Sequence, residues 1–490
     1  MSLRSQAISG FRWTASMKIV SQIVTWAITI IVIRLLSPED YGLLAMATVF
    51  VSFLAMFSEL GLGAAVVQMI DLDERLLRRV FFVVLAIHFS LAALLMLMAP
   101  LIAAFYDEPR VTPVIRVLAI QFILVGFAVI PDALIQRRME FRNRSLLDLS
   151  GAIIASCITL AMAFSGAGVW ALVAGSILSQ IWKTAGINWL SPFRHWPEFS
   201  LQGLRSRLRF GGHISAAQVF WMLYSQVDLL ICAKLLGKEV LGFYSVAMHL
   251  ASLPSQRISG LVNQVAFPTF SRMQNDLHSV SVNVVLGVRI LSFFAFPVLW
   301  GMSSIAPEMV EVILGGHWSP SVVPLQVLTL IIPLRLVANF VQVAVQGVGR
   351  TDIVMRNAIL ASLIAPTAFF IGAYWGGLLG LSLAWLVVSP LVFVLGLVRS
   401  LPVLGLRLGA FTTSMITAAG AGLIMYGAVA AARYFWLAEQ GGVLRLCVLI
   451  AVGALAYSAV SLGLNRKNAQ EVLEMLRSIT TTTRQISTGE

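Results

Sequence analysis

Runs of roughly 20 to 30 residues with almost no charge follow one another along this chain, and that pattern leaves few folds open. An apolar helix of about 20 residues crosses a bilayer. In lipid every backbone N–H and C=O must be satisfied inside the protein, so such runs are predicted to be helices. Only 11% of the 490 residues are charged and 59% are hydrophobic, with a mean hydropathy of +0.89. Soluble domains carry about 25% charged residues. The predicted spans are 9–36, 41–69, 80–105, 113–135, 146–166, 168–190, 210–236, 240–271, 282–306, 321–347, 352–374, 376–398, 409–434 and 441–464. The expected fold is therefore an all-α polytopic membrane protein with about 14 transmembrane helices.

Basic residues orient the helices, because cytoplasmic loops are enriched in Lys and Arg. With the N-terminus inside, 22 of the 34 basic residues fall on the cytoplasmic side, and at most seven fall outside: Arg34, Arg110, Arg116, Lys234, Lys238, Arg433 and Arg445. Both termini are then cytoplasmic. The net charge of +12 reflects this asymmetry. The basic residues form no patch of the kind that binds nucleic acid. The first apolar segment is long and holds Lys18, so it is predicted to be a permanent helix and not a cleaved leader. Cys157, Cys232 and Cys447 lie inside spans without metal-ligand spacing and are expected to be small packing residues. His88, His213 and His249 are scattered singly and are expected to pack as well. No cofactor or metal motif is present.

A short echo divides the chain. Arg34-Leu35-Leu36, Glu39 and Gly42 recur as Lys234-Leu235-Leu236, Glu239 and Gly242, offset by 200 residues. The same register pairs Lys18 with Gln218, Thr25 with Ser225, Ser52 with Ser252 and Glu59 with Ser259. Two homologous helix bundles are thus predicted, an arrangement that many transporters use to build a site reachable from either side. Residues 1–190 are expected to form an N-terminal six-helix lobe and 191–209, with two prolines and several arginines, a cytoplasmic linker. A second six-helix lobe is expected at 210–400, two additional helices at 401–465, and a cytoplasmic amphipathic tail at 466–490. Loops on the outer side are short. Asp107-Glu108 in one of them admits two readings, a metal-binding pair or a solvated turn stopped by Pro109, and the turn is favoured.

Polar side chains inside a span cost free energy, about 2.5–3.5 kcal/mol for a charge at mid-membrane, and so point to function. Lys18, Gln22, Thr25 and Thr29 share one helix face. Glu59 closes the second span, and Asp228 lies in the seventh. Gln256, Arg257 and Asn263 lie in the eighth, with Arg289 and Arg335 in the next two. The cations Lys18, Arg257, Arg289 and Arg335 outnumber Glu59 and Asp228, which suits an anionic passenger such as a diphosphate, whose oxygens guanidinium groups match with forked hydrogen bonds. Gln22, Gln256 and Asn263 offer hydrogen bonds to hydroxyls. Each residue also has a plainer reading. Arg289 can snorkel to the interface, and Arg335 can satisfy carbonyls freed by Pro333. Glu59 and Asp228 are either partners for these cations or protonation sites for ion coupling.

Ile33-Arg34-Leu35-Leu36-Ser37-Pro38-Glu39-Asp40-Tyr41-Gly42 resembles the signature hairpin of polysaccharide exporters of the MOP superfamily. Ser58-Glu59-Leu60-Gly61-Leu62-Gly63 and Leu134-Ile135-Gln136-Arg137-Arg138 resemble the segments that follow it in those proteins. The resemblance is to Wzx-type flippases, in the branch of exopolysaccharide and colanic-acid exporters. It implies transport of an undecaprenyl-diphosphate-linked oligosaccharide from the cytoplasmic to the periplasmic leaflet of a bacterial inner membrane, by alternating access and without covalent chemistry. Membrane lipid surrounds such proteins, and a polysaccharide polymerase and co-polymerase are candidate partners. Two alternatives remain. A cation or drug antiporter of the MATE type would favour acidic residues in a less basic site. A membrane polymerase or ligase would favour a long outer loop, which is not found.

Overall fold

The computed structural model describes residues 22, 24–58, 66–67, 73–138, 140–193, 195–199, 205–435 and 442–464. Among them the regular structure is entirely helical. In chain order the long helices are α1 (Val24–Leu35), α2 (Pro38–Ser58), α3 (Glu74–Tyr106), α4 (Val111–Arg137), α5 (Phe141–Phe164), α6 (Val169–Leu190), α7 (Arg205–Arg272), α8 (Leu277–Ser304), α9 (Val322–Gly347), α10 (Thr351–Ser400), α11 (Leu408–Phe435) and α12 (Gly442–Leu464). α7 breaks at Gly237 (φ 82°, ψ 177°) and α10 at Gly377 (φ 56°, ψ −138°). With each broken helix counted as two arms, the described residues contain fourteen helical segments, which cover all or part of each predicted span. Positive φ is open to glycine at little cost, which is why both breaks fall there and not at the prolines within the same helices.

The helices outrun the apolar spans at their ends. α3 starts at Glu74, where the Asp73 carboxylate accepts from the Arg75 N–H, and it takes in Arg75, Arg78 and Arg79 before the first apolar run. α8 starts the same way, with Asp276 accepting from the Ser279 N–H and hydroxyl. Those bonds hold the Asp276 carboxyl below the usual carboxylate range.

Two compact units emerge, Met1–Gly242 and Phe243–Glu490. In the first, α3 packs on α4, α4 on α6 and α5 on α6, with α2 lying against α3, α4 and α6. Its core includes Val80, Phe81, Val84, Ile130 and Ala133. In the second, α8 packs on α9 and α11, α9 on α10 and α11 on α12. Buried polar groups are satisfied between these helices. The Tyr457 hydroxyl donates to the Phe293 carbonyl at 2.8 Å, the Trp300 indole to the Leu330 carbonyl at 3.0 Å, and the Ser303 hydroxyl to the Gln326 carbonyl at 3.0 Å.

In each unit most of the ion pairs seen among the described residues lie towards the helix ends, where a slab of lipid gives way to water. At one end of the first unit Arg144 grips Asp132, Arg79 pairs with Glu198 and His195 with Glu74. These contacts, with Arg78 donating to the Trp196 carbonyl, tie residues 195–198 to the start of α3. Large side chains such as Leu97 and Leu101 of α3, Leu363 of α10 and Leu455 of α12 are exposed. On helices this apolar they face lipid, and the chain is a multi-pass membrane protein. Cys232 is buried as expected, but Cys157 and Cys447 are exposed on the outward faces of α5 and α12. The apolar run that hides cysteine in a core also suits lipid, and the sequence does not separate the two. The predicted tail 466–490 lies outside the described residues.

Glu308 attaches the last two helices to the rest of the second unit. It is buried, at 5% exposure, in the connection between α8 and α9. There it meets Arg433 of α11 at 2.7 Å and Arg445 of α12 at 3.2 Å. Glu308→Ala leaves two arginines facing each other without their shared anion. The expected loss is about 2–3 kcal/mol, less than for a fully buried pair because both arginines are partly exposed. Thermal unfolding of the detergent-solubilised protein measures it. Replacing all three residues by apolar ones is expected to recover most of the loss, and failure to recover it would show that the cluster does more than pin helices.

Candidate functional site

The duplicated motif builds a helix crossing. At the first copy the chain turns between α1 and α2, where the Asp40 carboxylate accepts from the Ser37 N–H at 3.0 Å and the Ser37 hydroxyl at 2.7 Å. Asp40 N–H in turn donates to the Ser37 hydroxyl at 3.3 Å, a reciprocal cap with Pro38 in the first helical position. The second copy makes its break at Gly237, the residue in register with Ser37. One copy uses side-chain capping and the other a glycine to solve the same turn.

The two copies touch each other directly. A Cβ on Gly42 would lie 1.7 Å from the Lys238 carbonyl oxygen, and a Cβ on Gly242 would lie 1.8 Å from that of Pro38. The contact is reciprocal: position 38 of one copy meets position 42 of the other, in both directions. Only residues without a Cβ allow the backbones this close.

Around this crossing lies a cluster of ion pairs. Lys238 Nζ is 2.8 Å from Glu108 and 3.3 Å from Glu39. Arg110 reaches Glu108 at 2.9 Å and Glu39 at 3.2 Å, and Lys234 reaches Asp107 at 2.8 Å. These ion pairs join Glu39, Asp107 and Glu108 to Lys234, Lys238 and Arg110. Arg110 is held above the usual guanidinium range, chiefly by its bond to Glu108. Asp107 adopts φ 57°, a left-handed conformation at the C-cap of α3. Its neighbour Glu108 is the hub, its side chain 14% exposed. The sequence favours a solvated turn here, and that description fits Asp107 but not Glu108. Beside the network a cavity of about 260 Å³ is lined by Asp40, Arg110 and Trp170, with Gly166 and Gly168 among its walls.

The predicted substrate-handling residues are distributed over both units. Lys18 and Glu59 lie outside the described residues, as do the side chains of Arg257 and Asn263 on the second arm of α7. Gln22 is half-buried. Asp228 is fully buried on the first arm of α7, one turn from Cys232. In the second unit Gln256 is exposed and donates to the Ser252 hydroxyl at 3.1 Å, while Arg289 of α8 is half-buried. Arg335 of α9 lies with its guanidinium 4.6 Å from the centroid of the Trp385 ring of α10. Among the described residues no group of three or more His, Cys, Asp and Glu could hold a metal ion. His88 is buried, and its Nδ1 lies 2.8 Å from the Val84 carbonyl of its own helix.

Residues 31–323 match the family model described as polysaccharide biosynthesis protein. The chain belongs to that family. Among its relatives, the lipopolysaccharide biosynthesis protein WzxC of Escherichia coli is 24% identical over 412 residues, covering 83% of each chain. The succinoglycan biosynthesis transport protein ExoT of Rhizobium meliloti is 26% identical over 456 residues, covering 91% of each. The fold is that of the lipid II flippase MurJ in its inward closed conformation, with a TM-score of 0.72, 14% identity and coverage of 93% of this chain and 99% of that one. An inward-facing MATE transporter of the MOP superfamily follows at a TM-score of 0.61, with 15% identity and coverage of 78% and 95%. The MOP-type architecture expected from the sequence is thus present.

Alanine at either glycine of the crossing must push two backbones apart. Gly42→Ala and Gly242→Ala are each expected to lower the unfolding midpoint by several degrees. Because both act on one contact, the double variant should lose clearly less than the sum. Strict additivity in detergent melts would place the two glycines in independent roles.

Proposed function

We propose that this protein is a lipid-linked oligosaccharide flippase working by alternating access, with an undecaprenyl-diphosphate-linked saccharide as passenger. The observation that carries the reading is the reciprocal Gly42–Gly242 crossing within its network of ion pairs. A contact held by backbone proximity and six mutually satisfied charges can close one face of a transporter without a large apolar seal. The family and the names of the relatives support the passenger class: ExoT is a succinoglycan biosynthesis transport protein, and MurJ is a lipid II flippase.

In this scheme the face bearing the crossing is periplasmic and the opposite end, with Arg75, Arg78, Arg79, Arg137 and Arg144, is cytoplasmic. Both termini are cytoplasmic and the membrane is the bacterial inner membrane. Lys18, Arg257, Arg289 and Arg335 neutralise the diphosphate, and Gln22, Gln256 and Asn263 bond sugar hydroxyls. Glu59 and Asp228 serve as counter-charges or as the protonation sites that couple transport to an ion gradient. No covalent step is required. A polymerase and its co-polymerase take the repeat unit on the far side.

A deletion strain tests the scheme. Surface polymer should be lost, with complete lipid-linked repeats accumulating in the cytoplasmic leaflet. Repeats reaching the periplasmic leaflet unpolymerised would assign the protein to polymerisation instead.

A further inference from the structure

We infer that Trp385 and Tyr244 are positioning residues that orient the Arg335 guanidinium for the diphosphate of the passenger. The inference rests on the flippase reading and deepens it.

Arg335 and the aromatic residues behind it come from three helices. Arg335 stands on α9, two residues past Pro333, with the Trp385 ring of α10 under its guanidinium at 4.6 Å from the centroid. Trp385 is itself fixed twice over. Its indole N–H donates to the Tyr244 hydroxyl on the second arm of α7 at 2.7 Å, and the Phe369 ring of α10 packs against it at 4.7 Å between centroids, tilted by 50°. Trp385, Tyr244 and Phe369 are all fully buried.

Packing alone does not call for this arrangement. A buried core is filled more simply by leucine or phenylalanine, which bring no polar atom that needs a partner. Here an indole N–H and a phenol hydroxyl sit in an apolar interior and answer each other. The bond does what shape cannot: it fixes the rotation of the indole plane. A guanidinium held against a fixed ring face loses freedom with it. Arginine otherwise carries much rotamer freedom, and freezing it beforehand removes an entropy cost from binding.

The geometry also bears on what is bound. A guanidinium held over a ring face keeps its forked N–H groups as a set, and a fork can meet two phosphate oxygens at once. A lysine at this position would supply charge without that fork. Pro333 gives Arg335 a simpler role, satisfying carbonyls freed by the missing donor, but that role needs neither the tryptophan nor the tyrosine beneath it.

The test uses the purified full chain in detergent, with undecaprenyl diphosphate and undecaprenyl monophosphate as probes and ligand-induced thermal shift titrated for affinity. The variants are Tyr244→Phe, which removes one oxygen, Trp385→Phe, which keeps a ring, and Arg335→Gln. Wild-type protein is expected to prefer the diphosphate. Arg335→Gln should weaken diphosphate binding by about tenfold. Tyr244→Phe and Trp385→Phe should each weaken it several-fold and reduce the preference over monophosphate, about as far as a lost cation–π contact allows. Tyr244→Phe should have no further effect in the Arg335→Gln background, a coupling that a merely structural role would not produce.

Unchanged affinity and selectivity in both aromatic variants overturns the inference and leaves the flippase reading standing. An equal loss with and without Arg335 also overturns it, because the aromatic pair then acts through packing. Wild-type protein that binds neither lipid overturns the flippase reading together with this inference.

Discussion

Lipid offers no hydrogen bonds, and most of this structure follows from that fact. Each apolar run closes its own backbone as helix, and each break in a helix must find a local solution. The turn before α2 uses Ser37 and Asp40 to satisfy each other and the exposed N–H groups. The break in register with it, at Gly237, uses a backbone conformation that only glycine adopts freely. Charges face the same rule. They gather at helix ends, where water or an opposite charge is at hand, or they sit inside with a specific partner, as Arg335 does on Trp385.

The crossing of the two motif copies shows how duplication turns into mechanism. A single copy of the motif is a helix hairpin with a glycine one turn into its second arm. Two copies can place each glycine against the other's first turn, and the resulting contact is symmetric in backbone while differing in charge. Position 38 is proline in one copy and lysine in the other, so the Lys238 side chain is available to the Glu39–Glu108 pair while Pro38 starts its helix. Duplication supplied the fit, and divergence supplied the ions. Six charges at a membrane–water boundary hold less firmly than an apolar seal of equal area, since each exposed pair contributes at most about 1 kcal/mol. For a contact that opens in every cycle of the proposed transport, this weakness is useful.

Much of the fold was legible in the sequence because lipid imposes one-dimensional rules. Length and apolarity located the helices, and the split at Ser165–Gly168 and the breaks at Gly237 and Gly377 fell where glycine interrupts apolar runs. The site was less legible, because partners distant in sequence are set by packing. Glu108 reads as the solvated residue of a short turn, and nothing local reveals that Lys238, 130 residues away, closes on it. A signal did exist: Glu39 and Lys238 both fall within copies of the motif, and a duplicated hairpin is a natural place to look for complementary charge. Trp385 and Tyr244 gave no such sign. An aromatic residue in an apolar helix looks like core or lipid anchor, and only the 2.7 Å bond between them marks the pair as oriented.

Glu308 raises the same question for the last two helices. α11 and α12 are apolar enough to sit in the bilayer on lipid contacts alone. Yet they are tied to the second unit by one buried carboxylate shared between two arginines, and by the Tyr457 hydroxyl bonded to the Phe293 carbonyl. Contacts between apolar helices in lipid have little hydrophobic drive behind them, since lipid tails are as apolar as leucine. Polar ties therefore decide which helices stay together. A pair that served only to fill space would need none, so these ties hold α11 and α12 specifically to the second unit, whose helices also carry Arg289 and Arg335.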